Sequence, residues 1–509
     1  MTPPTGPDTQ VPWHRTWRGR SLALVTVLAV CGAALFWWLR SEDTRCADGV
    51  ERIGEGDQRE CVGVTDGAFS FDGDLDGVFG LIHAENERVV AEAESGNGVP
   101  YVSVVYLLPM TPDPGESNSR DSIRHELEGA FTAQWEANQT SAHGESPQIR
   151  LLLAHPGRTD EQREFTIGEI TERRDEDRIV AVAGRGTSLQ ATQQMVADLA
   201  AADIASFGAV LTSDLLAETR GLVRVAPPNG DEAAAAVQYL SDGDRADDRV
   251  LLVRDGNVED QYTATLADEF ARQLPEDRFV TGQPMQFDSS QSGLATYFSN
   301  EMANLCLQEP DVVYFAGRSR DLAAFLGPLA ERQCQDTPIT VLSGDDASQT
   351  VQQETFDNVR QALDLGQIEL VYTGLAHPGA WEEAPSAFSP TAISAFLTGG
   401  TFVTTFPESD LGDGQAIMAH DALLTAVTAI RSVATPEYTD ITSSDVFQQI
   451  TTLHDANAVA GASGWISIGT DGSPESKAIP IIRIDEHGTL TTVAVTSSTG
   501  TPYTPAPTG

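Results

Sequence analysis

Residues 180–194, VAVAGRGTSLQATQQ, run an apolar segment into two glycines, a Thr-Ser pair and a polar stretch of helical character. A strand that ends in glycine and hands over to a helix exposes unpaired backbone N–H groups, and these bind anions readily. A P-loop requires G-x-x-x-x-G-K-[ST], yet the chain's single lysine, Lys477, is nowhere near this turn. The dinucleotide fingerprint G-x-G-x-x-G fails as well, because Gly184, Arg185 and Gly186 are followed by Thr187, Ser188 and then Leu189. Two readings remain: a strand-to-helix turn in which Thr187 or Ser188 caps the helix, and the rim of a pocket for a small polar solute.

Outward from this turn, the apolar run proves to be one of a series. YVSVVYLL, IRLLLAH, RIVAVAG, ASFGAV, LVRVAP, RVLLVRD, VVYFAG, ITVLSG and ELVYTG follow one another between residues 101 and 374, most of them separated by amphipathic stretches. Near-continuous apolar strands alternating with helices predict parallel sheets covered on both faces, a doubly wound α/β architecture. So many strands suit two lobes better than one sheet. Ligands in such sheets bind beyond the carboxyl ends of the strands. That position singles out Gly184 to Ser188, Thr212 and Ser213, Asp255 to Tyr262, Gly317 and Arg318, and Gly344 to Asp346. Any one of them also serves as an ordinary helix cap or turn residue.

Residues 21–39, SLALVTVLAVCGAALFWWL, carry no charge. At 1.5 Å per residue they match the hydrocarbon core of a membrane, about 30 Å thick. Arg15, Arg18 and Arg20 precede the run while Glu42 and Asp43 follow it, which places residues 1–20 in the cytoplasm and the rest outside. A lipoprotein box around Cys31 and a cleaved signal peptide are the rivals. The run continues past the cysteine and through Trp37 and Trp38 without a small-residue cleavage site, which favours an uncleaved anchor.

Thirty-one Lys and Arg against 75 Asp and Glu give a formal charge of −44, which repels nucleic acid and anionic lipid headgroups. Thirty arginines beside one lysine fit GC-rich bacterial coding. With Cys31 in the membrane, Cys46, Cys61, Cys306 and Cys334 lie on the oxidising side. Four cysteines allow three pairings; the short polar loop between Cys46 and Cys61 favours that bridge, and hence Cys306 with Cys334. Residues 40–99 read as an acidic preface with one helical stretch, LDGVFGLIHAENERVVAEAE, and residues 488–509, rich in Ser, Thr and Pro, as a flexible tail.

Catalytic and metal chemistry find little support. DGDLDG, from Asp72 to Gly77, begins like a calcium loop, but position 12 is His83 where a bidentate glutamate belongs. HELEG at His125 lacks the second histidine of a zinc helix, and GASGW is not a nucleophile elbow. No cofactor is expected, and the chain does not read as an enzyme.

The order of segments resembles the type I periplasmic solute-binding family, which includes leucine/isoleucine/valine-binding proteins of ABC importers. YLLPMT and SRDSIRHELEGAFTAQWEANQ are similar to its first strand, loop and helix, and residues 180–216 to its ligand loop, helix, strand and second loop. GLVRVAPPNGDEAAAAVQYL resembles the crossover into the second lobe, and RVLLVRDGNVEDQYTATLADEFARQL the strand and helix beyond it. Toward the end, AHDALLTAVTAI and GASGWISIGTDG look like the family's late helix and hairpin. The resemblance covers residues 100–487. It implies a two-lobed fold with lobe I at about 100–224 and 345–460, and lobe II at about 225–344 and 461–487.

The resemblance further implies that Gly184, Thr187, Ser188 and Thr212 contact a ligand carboxylate, that Asp345 or Asp346 meets its ammonium, and that Tyr262 falls near the pocket aromatic; Arg185, a large cation inserted into the ligand loop, is counted with these ligand-binding residues. Arg185, Thr263 and His420 depart from the family pattern. Two functions follow. The first is a membrane-anchored extracytoplasmic receptor that binds an amino-acid-like or amide-like solute for an ABC permease. The second is a sensory or protein-interaction ectodomain that keeps the fold without transport.

Overall fold

The computed structural model describes residues 44–505, apart from 96–97, 112–117, 185, 353–355, 357–358 and 436–438. The expected anchor at 21–39, Cys31 and Arg185 lie outside the described residues.

Two large sheets form the framework. The first contains β1 (Arg45–Ala47), β2 (Val50–Ile53), β3 (Glu60–Thr65), β4 (Tyr101–Leu107), β5 (Gln148–His155), β6 (Ile179–Gly184), β7 (Ala205–Gly208) and β8 (Leu222–Arg224), in the spatial order β1-β2-β3-β5-β4-β6-β7-β8. From β5 to β8 the pairing is parallel, whereas β1, β2 and β3 join antiparallel at one edge. The second sheet takes β9 (Val250–Asp255), β10 (Met285–Phe287), β11 (Val312–Ala316), β12 (Ile339–Ser343) and β13 (Ile368–Thr373). A hairpin of β14 (Val459–Gly461) and β15 (Gly464–Ile466) follows. The chain then returns to the second sheet with β16 (Ile479–Ile484) and β17 (Leu490–Thr496), completing the order β10-β9-β11-β12-β13-β16-β17.

All nine strands expected from apolar runs are present, and every residue of β6, β11 and β12 is buried, as two helix-covered faces require. Three expected boundaries need correction. The return to lobe I comes after Thr373, not at residue 345, because β13 hydrogen-bonds between β12 and β16 in the second sheet. The β14–β15 hairpin belongs to lobe I, whose core takes in Val459, Ala462, Ile466 and Ile468; the final crossing falls between Ala478 and Ile479. The expected tail begins with a strand, since β17 pairs with β16 from Leu490 to Thr496.

The acidic preface is likewise no appendage. Gly63, Val64 and Thr65 pair with β5, and Asn86, on the helix Asp76–Glu94, donates from its amide to Leu151 O at 2.7 Å while accepting from Leu151 N at 2.8 Å. Cys46 is bridged to Cys61 and Cys306 to Cys334, the expected pairing.

Among the described residues one helix, Gln415–Val433, is long and apolar enough to cross a membrane, and 78% of that window is buried within the protein. It is the central helix of lobe I. On it, fully buried His420 sits 2.9 Å from Asp421 and 3.3 Å from Glu136. Asp421 also accepts from the Ala462 and Ser463 amides at 2.9 and 2.7 Å, which pins the hairpin to the helix. Lys477, wholly buried, completes this join by donating to Ser463 Oγ at 2.8 Å and Gly464 O at 2.9 Å. Despite burial, which opposes its charge, the two carboxylates push His420 up to about 9.

Candidate functional site between the lobes

The loops after β6 and β7 meet those after β9, β11 and β12 across the interlobe cleft. Thr187, Ser188 and Thr212 from lobe I and Tyr262, Asp345 and Asp346 from lobe II line one cavity of about 20 Å³, together with Asn118, Val210, Arg318, Gln349 and Gln415. Six of the eight expected site residues are thus brought together. Gly184 is not part of the lining. Its φ of 93° needs glycine, and a Cβ there would stand 2.8 Å from the Tyr106 ring, so it shapes the turn.

The expected helix cap is corrected. The cap position of Gln190–Ala201 falls on Leu189, with no side-chain cap bond, because the Ser188 hydroxyl is used elsewhere. It accepts from the Thr212 and Ser213 amides at 3.1 and 3.3 Å and so ties the two lobe I loops together. Leu189 in turn forms an antiparallel bridge with Asp260 of lobe II. Gln261 Nε2 donates to Gln193 Oε1 at 3.1 Å, and Ser119 Oγ to Gln349 Oε1 at 3.3 Å, so side chains also join the lobes. At the crossover Asn229 donates from its backbone to Thr212 O at 2.7 Å and from its side chain to Tyr262 O at 2.8 Å. The lobes are closed on each other, and the cavity between them has room for about one water.

On the lobe II side the dominant feature is Arg318, which precedes the helix Ser319–Ala330. Its guanidinium donates to both oxygens of Asp260 at 2.7 and 2.8 Å and to Asp346 Oδ1 at 3.2 Å, and it lies 4.4 Å from the centre of the Tyr262 ring. Burial works against this charge, and the two carboxylates outweigh it, holding Arg318 above its ordinary value. Asp346 also accepts from the Ser319 amide at 2.5 Å. Of the two carboxylates expected to meet an ammonium, Asp346 is therefore already engaged.

Asp345 differs. Burial, then the Asp346 charge, pushes its carboxyl up to about 7. Its amide donates to Glu232 Oε2 at 3.1 Å, an oxygen that also accepts from the Thr373 hydroxyl at 2.8 Å. Burial, then Asp345, holds Glu232 well above the carboxylate range. Asp345 Oδ1 and Gln415 Oε1 are buried without a hydrogen-bond partner. A donor-rich ligand group satisfies such acceptors, whereas leaving them unmet costs about 1–3 kcal/mol each.

Arg318 and Asp260 stood among the strand-end positions in the sequence but outside the expected ligand contacts. Asn118, Glu232, Gln349 and Gln415 carried no local signal at all; the topology delivers them. Beside the cavity an open groove of about 610 Å³ runs along lobe I past Pro109, Arg163 and Gln190, and Thr187 borders both.

No protein-family model matches the sequence, and no curated protein matches it. Solved structures do. A leucine-binding protein, LivK, from Thermotoga maritima is 19% identical with a TM-score of 0.57, the match covering 77% of this chain and 98% of that one. The LivJ substrate-binding protein from Streptococcus pneumoniae, in complex with isoleucine, is 15% identical at TM-score 0.58, over 78% and 99% of the two chains. The chain has the type I periplasmic-binding-protein fold. A third relative by structure, a solute-binding protein of an ABC transporter from Rhodopseudomonas palustris in complex with 3,4-dihydroxybenzoic acid, is 14% identical at TM-score 0.55, over 78% and 98%. The periplasmic-binding-protein fold thus spans nearly the full length of these solute-binding proteins.

Proposed function

We propose that this chain is an extracytoplasmic solute-binding protein, anchored by residues 21–39, that closes its two lobes on a small amino-acid-like or amide-like solute and presents it to an ABC-type permease. The observation that carries this reading is convergence: residues from five loops and both lobes line one cavity, and the cavity holds unmet buried acceptors. Thr187 and Ser188 at the cavity wall offer hydroxyls to a carboxylate, and Asp345 Oδ1 with Gln415 Oε1 suits an ammonium. The isoleucine complex of a protein with this fold supports the class. The lobes must part to admit such a solute, because the closed cavity is too small for one. Hinge motion about the three crossovers provides that opening.

A second reading is a sensory or protein-interaction ectodomain of the same fold. It is favoured by the closed cleft, in which Arg318 is already paired within the protein. A thermal-shift series of the full chain in detergent against amino acids, amides and small carboxylates separates the two. Stabilisation that grows with concentration supports the solute receptor, and its loss in Asp345→Asn supports the ammonium contact. No shift with any solute supports the second reading.

A further inference from the structure

Arg318 is held as a cationic ligand is held. Two carboxylates, Asp260 and Asp346, take its N–H groups at 2.7 to 3.2 Å, and the Tyr262 ring lies 4.4 Å from its central carbon. A bidentate carboxylate pair with an aromatic face is the recognition geometry of a guanidinium. The cage is built from the segments after β9 and β12, its occupant comes from the loop after β11, and the Arg318 side chain is only 13% exposed within it. The Asp260 backbone that anchors the cage also bridges to Leu189 across the cleft, so the cage lies on the closing face.

We infer that Arg318 is a specificity-determining residue: a tethered guanidinium that fills the cation cage of Asp260, Asp346 and Tyr262 and thereby excludes basic solutes from the cleft. This deepens the solute-receptor reading by narrowing the solute to one without a guanidinium or second amine. The unmet acceptors, Asp345 Oδ1 and Gln415 Oε1, are left for a single ammonium. Arg318 thus keeps the neighbouring carboxylates from adding a second cation subsite.

The test is chemical replacement. In Arg318→Ala the cage keeps its carboxylates and loses its occupant, so methylguanidinium chloride should raise the melting temperature of the full-length variant by about 2 °C, increasing with concentration. Wild type should show no shift beyond that of sodium chloride at the same ionic strength. Adding Asp260→Asn to the variant should abolish the gain. Absence of a shift in folded Arg318→Ala, or an equal shift in wild type, overturns the inference. If Arg318→Ala does not fold unaided, recovery of folded protein on refolding with methylguanidinium supports it, and no recovery overturns it. The probe reads the cage alone, so a failure of wild type to bind any amino acid would sink the receptor reading and leave this result standing.

Discussion

Gly344 and Tyr262 are fitted to each other: a Cβ on Gly344 would lie 2.5 Å from the Tyr262 hydroxyl oxygen and 2.7 Å from Leu266 Cδ2. Absence of a side chain at the end of β12 is what lets the tyrosine reach the cleft floor, where its hydroxyl accepts from the Asp346 amide at 3.3 Å. Gly344→Ala should therefore cost about 1–3 kcal/mol through overpacking. Urea unfolding measures it; a change below the error of extrapolation would mean the ring yields freely.

Asp345 and Glu232 give the cleft a pH signature. Both carboxyls are held above their ordinary values, Asp345 at about 7, so between about pH 4 and pH 7 the folded chain binds more protons than the unfolded one. Stability from this pair therefore falls as pH rises through that window. In Asp345→Asn the fall should be shallower. Parallel pH–stability curves for wild type and variant would refute the assignment.

The same shift bears on binding. An ammonium prefers the ionised form of Asp345, so affinity for an amino-acid-like solute should increase from pH 6 to pH 8 and binding should release protons near pH 7. Calorimetry in buffers of different ionisation enthalpy detects the release. Uptake of protons instead would place the ammonium elsewhere.

On stability, His420 acts in the same direction as Asp345, and its partner Asp421 in the opposite one. His420 is held up at about 9, so its contribution is complete below pH 6.5 and is lost as pH rises through 9; Asp421 is held below its ordinary value, and its contribution is lost only in acid. Removing one member of a buried pair costs about 3–5 kcal/mol, which is the loss expected for His420→Gln. A denaturation midpoint close to wild type at pH 7 would show that Lys477 and the hairpin amides suffice for Asp421.

The bridge between Cys306 and Cys334 spans 28 residues of lobe II, from the end of one helix to the turn before β12. In the chain-entropy model it contributes about 3.5 kcal/mol. Cys306→Ser with Cys334→Ser should lower stability by that order, and reductant, which also opens Cys46–Cys61, should lower the wild type further. A double substitution that leaves urea unfolding unchanged would refute this contribution.

Legibility in the sequence followed the range of the interaction. Strands were readable because two helix-covered faces demand continuous apolar runs, and Thr187, Ser188, Thr212, Tyr262 and Asp345 were readable because strand ends in such sheets point into the cleft. Arg318 was legible by position but not by role, since its meaning depends on Asp260, 58 residues earlier. Glu232 gave no sign, being one acidic residue in the first turn of a helix until Thr373 and Asp345 close over it. The alternation in LTTVAVT is outweighed by the Ser, Thr and Pro around it, which is why the sequence of β17 reads as tail. Lobe boundaries failed for a related reason: which sheet β13 joins is decided by hydrogen bonds to β12 and β16, and no local pattern encodes a pairing partner.

Burial of Lys477 beneath the hairpin has a practical side. It is the only lysine in this sequence, so the folded lobes present amine-reactive dyes with no lysine side chain. Appearance of dye on Lys477, read by peptide mapping, would then count unfolded molecules directly, turning an ordinary conjugation reaction into an assay of foldedness.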